Sequence, residues 1–303
     1  MSNQHLIPGE RHHWWPKSLS KFWTDNKGMI NRVDAEGNIS RSNPTGTGRI
    51  SDGHNIRLNS PWDTRFEGYF DRPDRNFPHI VNWLESLVNL HRNSDVSSDE
   101  VYCAHSYNED ELQPLCEGLI SLAIRSPNFR QGILRRIERV RSSLPKDEHK
   151  TLIAANLMQT YSLVTQNALG RGKFLILFSD SSEFIYGDGI YHNLNSCGQY
   201  LSNCRILAPL TPRMAVLYVT PMEYFTEPRI VTRRADEATV STVNETVQVY
   251  SKECLFYRFD KPNLGEHFLQ REHLVYSGGD PVETLIADIP GIRTRGRFFT
   301  VLR

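Results

Sequence analysis

The chain has 303 residues, 39% hydrophobic and 23% charged, a globular composition rather than that of a disordered chain. Its 35 basic and 35 acidic side chains cancel, so no global basic excess points to nucleic acid, and any phosphate-binding surface must be local. The start, MSNQHLIPGERHHWWPK, lacks the basic head and apolar run of a secretory signal, and apolar runs such as Phe174 to Phe178 are far short of a membrane span. These features predict a soluble, cytoplasmic protein without a membrane partner.

In chain order, residues 11–60 read as hairpins. Turn clusters at 24–28 and 34–38 bracket a short strand, Met29 to Val33, and the Gly/Ser/Thr/Pro-rich stretch 41–52 reads as a loop. The period then changes. Ile80, Val81, Leu84, Leu87 and Val88 recur at helical spacing, as do Leu112, Leu115, Leu119 and Leu122 up to Pro127. Phe129, Ile133, Ile137 and Val140 mark a third helix, and Ile153, Leu157, Tyr161, Val164 and Ala168 a fourth, stopped by Gly170 and Gly172. Beyond Gly172 the pattern is of strands: 173–178, an unbroken apolar run that needs both faces covered, then 205–208, 214–219 and 255–259, with Pro209-Leu-Thr-Pro212 as a turn. The expected fold class is α+β, one domain over 1–303: an N-terminal hairpin region (11–60) and a C-terminal mixed sheet region (171–303) flank a helical block (61–170).

The five cysteines, Cys103, Cys116, Cys197, Cys204 and Cys254, form no CxxC pair and no second pair of zinc-ligand spacing, so ordinary thiols are expected. The chain also lacks a phosphate-binding loop, GxGxxG, HExxH and GxSxG.

Short motifs in order carry a family resemblance. His13-Trp14-Trp15-Pro16, continuing to Leu19 and Phe22, Arg125-Ser126-Pro127, Phe178-Ser179-Asp180, Pro209-Leu210-Thr211-Pro212 and Val243-Asn244 opening a helix together resemble the bacterial Domain of Unknown Function 4238 family over residues 12–259. The family usually has a proline shortly after its serine-aspartate pair, whereas Ser181-Ser182-Glu183 follows here. Some members sit in gene clusters linked to phage defence, so the resemblance implies an effector role and no particular mechanism.

Several side chains are candidates for chemistry. His13, among Trp14, Trp15 and Phe22, is either a general base or metal ligand tuned by an aromatic setting, or a hydrogen-bonded part of a staple that fixes the N-terminus. Asp180 leaves a buried strand, where catalytic carboxylates gather and turn-capping ones do too. Glu67 and Asp71, four apart, would share one helix face, and with His13 and Asp180 could ligate a divalent metal for hydrolysis; a solvated carboxylate pair is the plainer meaning. Asp188, in Gly187-Asp188-Gly189, reads as a turn residue. Arg130, Arg135, Arg136 and Arg139 make one helix strongly basic, a phosphate-contacting face or a dock for an acidic partner. The leading expectation is an effector that hydrolyses a phosphodiester in nucleic acid or nucleotide, with His13, Asp180 and Glu67 catalytic and the arginines substrate-binding. The alternative is a non-catalytic binding or sensor module whose arginine helix docks an acidic partner.

Overall fold

The structure, a computed structural model, describes residues 11–51, 54–56, 64–65, 67–94, 101–141, 146–196, 203–276 and 278–292. In chain order it runs β1 (Arg11–His13), α1 (Lys17–Ser20), a 3-10 turn Lys21–Trp23, β2 (Ile30–Val33), β3 (Ile39–Ser42), β4 (Arg49–Ser51), β5 (Asn55–Ile56), β6 (Thr64–Arg65) and a second 3-10 turn, Glu67–Phe70. The helical stretch is α2 (Asp71–Asn93), the interposed β7 (Tyr102–His105), α3 (Glu109–Arg125), α4 (Pro127–Arg141) and α5 (Lys146–Ala168). Next come β8 (Lys173–Phe178), β9 (Tyr186–Gly187), β10 (Tyr191–His192), β11 (Cys204–Thr211), β12 (Met214–Thr220), β13 (Ile230–Arg234), α6 (Glu237–Tyr250), β14 (Leu255–Tyr257), α7 (Glu266–Leu269) and α8 (Val282–Ala287). The fold is α+β.

The larger sheet has the order β10-β11-β12-β8-β13-β7, antiparallel except where β13 runs parallel to β8. All six residues of β8 are buried, as an unbroken apolar run between two paired neighbours requires. Helices α2 and α3 lie against this sheet at β13 and β11, and α6 against β10. Gly170 and Gly172, with φ of +71° and +82°, turn the chain from α5 into β8.

The smaller sheet, ordered β3-β2-β14-β9, is antiparallel and joins the N-terminal hairpin to two strands from the second half of the chain. An aromatic stack anchors it. Trp15 lies on Tyr186 (4.3 Å, 13° between planes) and Tyr186 on Phe256 (4.6 Å, 14°). Trp23 donates its indole N–H to Leu210 O of the larger sheet at 3.0 Å. Trp14, Trp15, Trp23 and Phe22 therefore belong to the same apolar core as the sheet and helices.

Several expectations shift. The 41–52 loop shortens to about the 43–48 turn, because β3 and β4 reach into it as polar, largely exposed strands with no apolar alternation to reveal them. Pro209 to Thr211 is strand rather than turn; an irregularity between Pro209 and Thr211 lets β11 continue past the proline. Glu67 lies in the 3-10 turn before α2 begins at Asp71, so the two do not share a helix face. Asn244 lies inside α6, whose N-cap is Asp236, and pins residues 183–185 by donating to Glu183 O and accepting from Ile185 N, both at 3.0 Å. The 293–303 tail and Cys197 lie outside the described residues. No helix among the described residues is long and apolar enough to cross a membrane.

Candidate functional site

Where the N-terminal hairpins face the start of α4 and the end of α6, the surface opens into a cleft of about 990 Å³, a size suited to a small organic ligand. Among the described residues its lining includes Arg11 of β1, Arg32 of β2, Arg41 of β3, Arg49 of β4, Arg130 of α4 and Lys252, with Asp188 and Glu253 of opposite sign. In a chain of zero formal charge this is a concentrated positive surface. Arg41 is already paired with Asp25, and Lys252 lies 3.2 Å from Glu253. Burial, with Arg125 nearby, lowers the Arg130 pKa to about 9, so it stays cationic at neutral pH.

His13 supports one wall of this cleft. Its Nδ1–H donates to Thr47 O (3.1 Å), and Nε2 accepts from Arg49 Nε (3.1 Å), so both ring nitrogens are engaged. Burial and the Arg49 charge push its pKa down, keeping the ring neutral. His13 thus orients Arg49.

At the other wall Asp188 is buried and rigid. Its Oδ1 accepts from the amides of Lys252 (2.9 Å), Glu253 (3.0 Å) and Cys254 (3.3 Å), while Oδ2 makes no hydrogen bond among the described residues. Oδ2 instead faces His273 Nε2 at 3.7 Å. Because His273 Nδ1 lies 2.8 Å from Tyr250 O, a pure acceptor, the ring proton sits on Nδ1 and Nε2 presents a lone pair. Burial lowers the His273 pKa against the opposing pull of Asp188. A neutral imidazole and a carboxylate oxygen therefore face one another across a gap that a proton, or a donor such as water, would bridge. Cys254 beside them is no nucleophile, since burial pushes its thiol pKa up to about 12.

The structure does not bring His13 and Asp180 together. Arg125 donates to His13 O (3.4 Å) and grips Asp74 near the start of α2, whereas Asp180 is held by Arg92 near its end (2.5 Å) and by Arg234 (3.4 Å). At 1.5 Å per residue, Asp74 and Arg92 are roughly 27 Å apart along the helix axis. Asp180 is a surface ion-pair residue, flanked by two guanidinia stacked over Phe178.

Glu67 meets His12 and His54 instead, with one ligand atom from each residue within 4.8 Å of the others. Alternation along β1 sends His12 inward where Arg11 and His13 flank it on the opposite face. The arginine helix divides: Arg130 lines the cleft, Arg135 donates to His273 O (3.3 Å), Arg136 donates to Asn195 O (3.2 Å) and Oδ1, and Arg139 is exposed. Comparison with protein-family models, curated proteins and solved structures finds no match.

His12, His54, Asp188 and His273 escape sequence reasoning. Two adjacent histidines on a strand imply that one points inward, but not which. Asp188 and His273 have no motif spacing; the available signal was the pair of glycines around Asp188, which hint at close backbone approach. A Cβ at Gly189 would fall on the Tyr250 carbonyl.

Proposed function

We propose that the protein binds a phosphodiester- or phosphoanhydride-bearing ligand of nucleotide size in the cationic cleft and hydrolyses it there. The observation that carries the reading is the lining itself: among the described residues, six cationic side chains and two carboxylates around one concave surface. Guanidinium forks match phosphate oxygens in geometry as well as charge. His273 is the general base. Its neutral Nε2 takes a proton from water, the hydroxide oxygen attacks phosphorus, and the leaving oxygen departs with a proton returned from the imidazolium. Asp188 Oδ2, at 3.7 Å, stabilises that imidazolium while it exists. The resemblance to the Domain of Unknown Function 4238 family supports an effector role; the choice of nucleotide or nucleic acid as substrate class rests on the cationic lining alone. An acidic protein partner is less well supported, because Arg135 and Arg136 already spend donors on His273 and Asn195.

The experiment is fluorescence anisotropy with labelled ATP and a labelled short oligonucleotide at low and high salt. Binding should weaken with salt, as counterion release requires. Arg32→Glu with Arg49→Glu should weaken it by at least about tenfold, since like charges brought together cost several kcal/mol. His273→Asn should retain binding and lose turnover. Salt-independent binding, or binding indifferent to the two charge reversals, would remove the reading.

A further inference from the structure

The second cluster of chemistry-bearing side chains lies behind β1. His12 is fully buried, His54 is 1% exposed and the Glu67 side chain 30% exposed. The two imidazoles come from different segments, β1 and the residue preceding β5, and the carboxylate from the 3-10 turn before α2. The rings lie 4.9 Å apart at 42°, and Phe70 stands 5.0 Å from His54. His12 Nε2 is 3.6 Å from Glu67 Oε2.

We propose that His12, His54 and Glu67 form a binding site for a divalent transition-metal ion, zinc or cobalt by preference. Two imidazoles and one carboxylate are a borderline-soft donor set that suits such ions and disfavours magnesium and calcium, which take oxygen. Metal–ligand bonds of about 2.0–2.2 Å put the ligand atoms of a tetrahedral site roughly 3.3–3.5 Å apart. The His12–Glu67 separation is already close to that, and the remaining closure falls on short segments rather than on a long helix. Three protein ligands among the described residues leave a fourth position for water or a further ligand.

The geometry also fixes what binding must change. His12 Nδ1 accepts from the His54 amide at 3.3 Å, so the ring proton rests on Nε2, facing Glu67. Coordination through Nε2 requires the proton on Nδ1, which an N–H donor opposes. The His54 amide must therefore turn away, or the ring must turn over, as the ion binds. The site is independent of the cleft reading, because it can be measured without a substrate.

The test is titration of the metal-depleted protein with Co²⁺, read by its visible absorption, with Zn²⁺ competition and a Mg²⁺ control. The expected result is about one Co²⁺ bound per chain and displaced by Zn²⁺, with Mg²⁺ at least about a hundredfold weaker. Glu67→Gln and His54→Gln should each weaken Co²⁺ binding at least about tenfold while circular dichroism stays unchanged. X-ray absorption of the zinc-loaded wild-type protein, which needs no variant to fold, should show two imidazoles and oxygen around the metal. The proposal falls if Co²⁺ does not bind, if Mg²⁺ binds equally well, if both folded variants bind as wild type, or if the absorption spectrum shows sulfur ligation.

Discussion

Arg125 holds Asp74 through two nitrogens, Nη1 to Oδ2 at 3.1 Å and Nη2 to Oδ1 at 2.6 Å, while its guanidinium lies 4.6 Å over the Phe70 ring. The pair ties the end of α3 to the start of α2, and a further N–H reaches His13 O. The partners are unequally buried: the Arg125 side chain is 1% exposed and that of Asp74 30%. Removing the aspartate strands a buried cation, whereas removing the arginine leaves a carboxylate that can turn to water. Asp74→Ala is expected to cost about 3–5 kcal/mol, and Arg125→Met less. Urea unfolding of both variants measures this, and the reverse order would contradict the account.

The aromatic anchor of the N-terminus is testable in the same way. Trp15→Ala removes a fully buried ring stacked on Tyr186 and should cost about 3–5 kcal/mol. Deleting residues 1–23 should lower the melting temperature markedly, because Trp14, Trp15, Leu19 and Trp23 leave the core together. An unchanged melting curve would show that these rings add nothing to stability.

His192 gives a pH dependence. Burial lowers its pKa from 6.5 to about 3, and Asn128 Nδ2 lies 3.4 Å from its Nε2. Below pH 6.5 the unfolded chain takes up a proton that the native protein refuses until about pH 3. The unfolded state thus binds more protons in that window, and stability falls as pH falls, by up to about 1.4 kcal/mol per pH unit from this group. His91, His105 and His273, also lowered, act in the same direction. Urea midpoints across the acid range should show the decline, and His192→Gln should flatten it in part. A variant with the wild-type slope would locate the effect elsewhere.

Gly189→Ala should be among the most damaging single substitutions. The new Cβ would fall on the carbonyl of Tyr250, which is backbone and cannot swing aside. The shift would pull Asp188 off the amides of 252–254. Gly132→Ala, whose nearest neighbour is the flexible end of Asn195, should be milder. Comparable stability losses for the two would refute the steric argument.

Helices α2 to α5 and strand β8 were legible because apolar periodicity and glycine or proline stops report local burial. β7 and β13 were not. The β13 sequence, Ile230-Val-Thr-Arg-Arg234, sets two apolar residues ahead of two arginines, and its position between β8 and β7 buries the first three residues. The candidate site was legible in part. Of the residues singled out from the sequence, Arg130 lies in the cleft lining, and Glu67 lies beside His12 and His54 rather than His13 and Asp180. What links Asp188 to His273 is tertiary: the C-terminal end of α6 and the segments that follow it bring together side chains that no local pattern relates.

The smaller sheet carries a consequence for how the chain is made. Asn31 Nδ2 donates to Arg258 O, 227 residues further on, and Trp23 reaches Leu210, 187 residues away. Neither contact can form until the distant segment has left the ribosome. At about 5–20 residues per second, the N-terminal hairpin waits roughly ten to forty-five seconds for its partner strand. During that wait Trp15 and Trp23 lack the Tyr186 ring, and Trp23 the Leu210 carbonyl, that hold them in the folded protein, so the nascent N-terminal segment is a natural client for chaperones that shield aromatic surface.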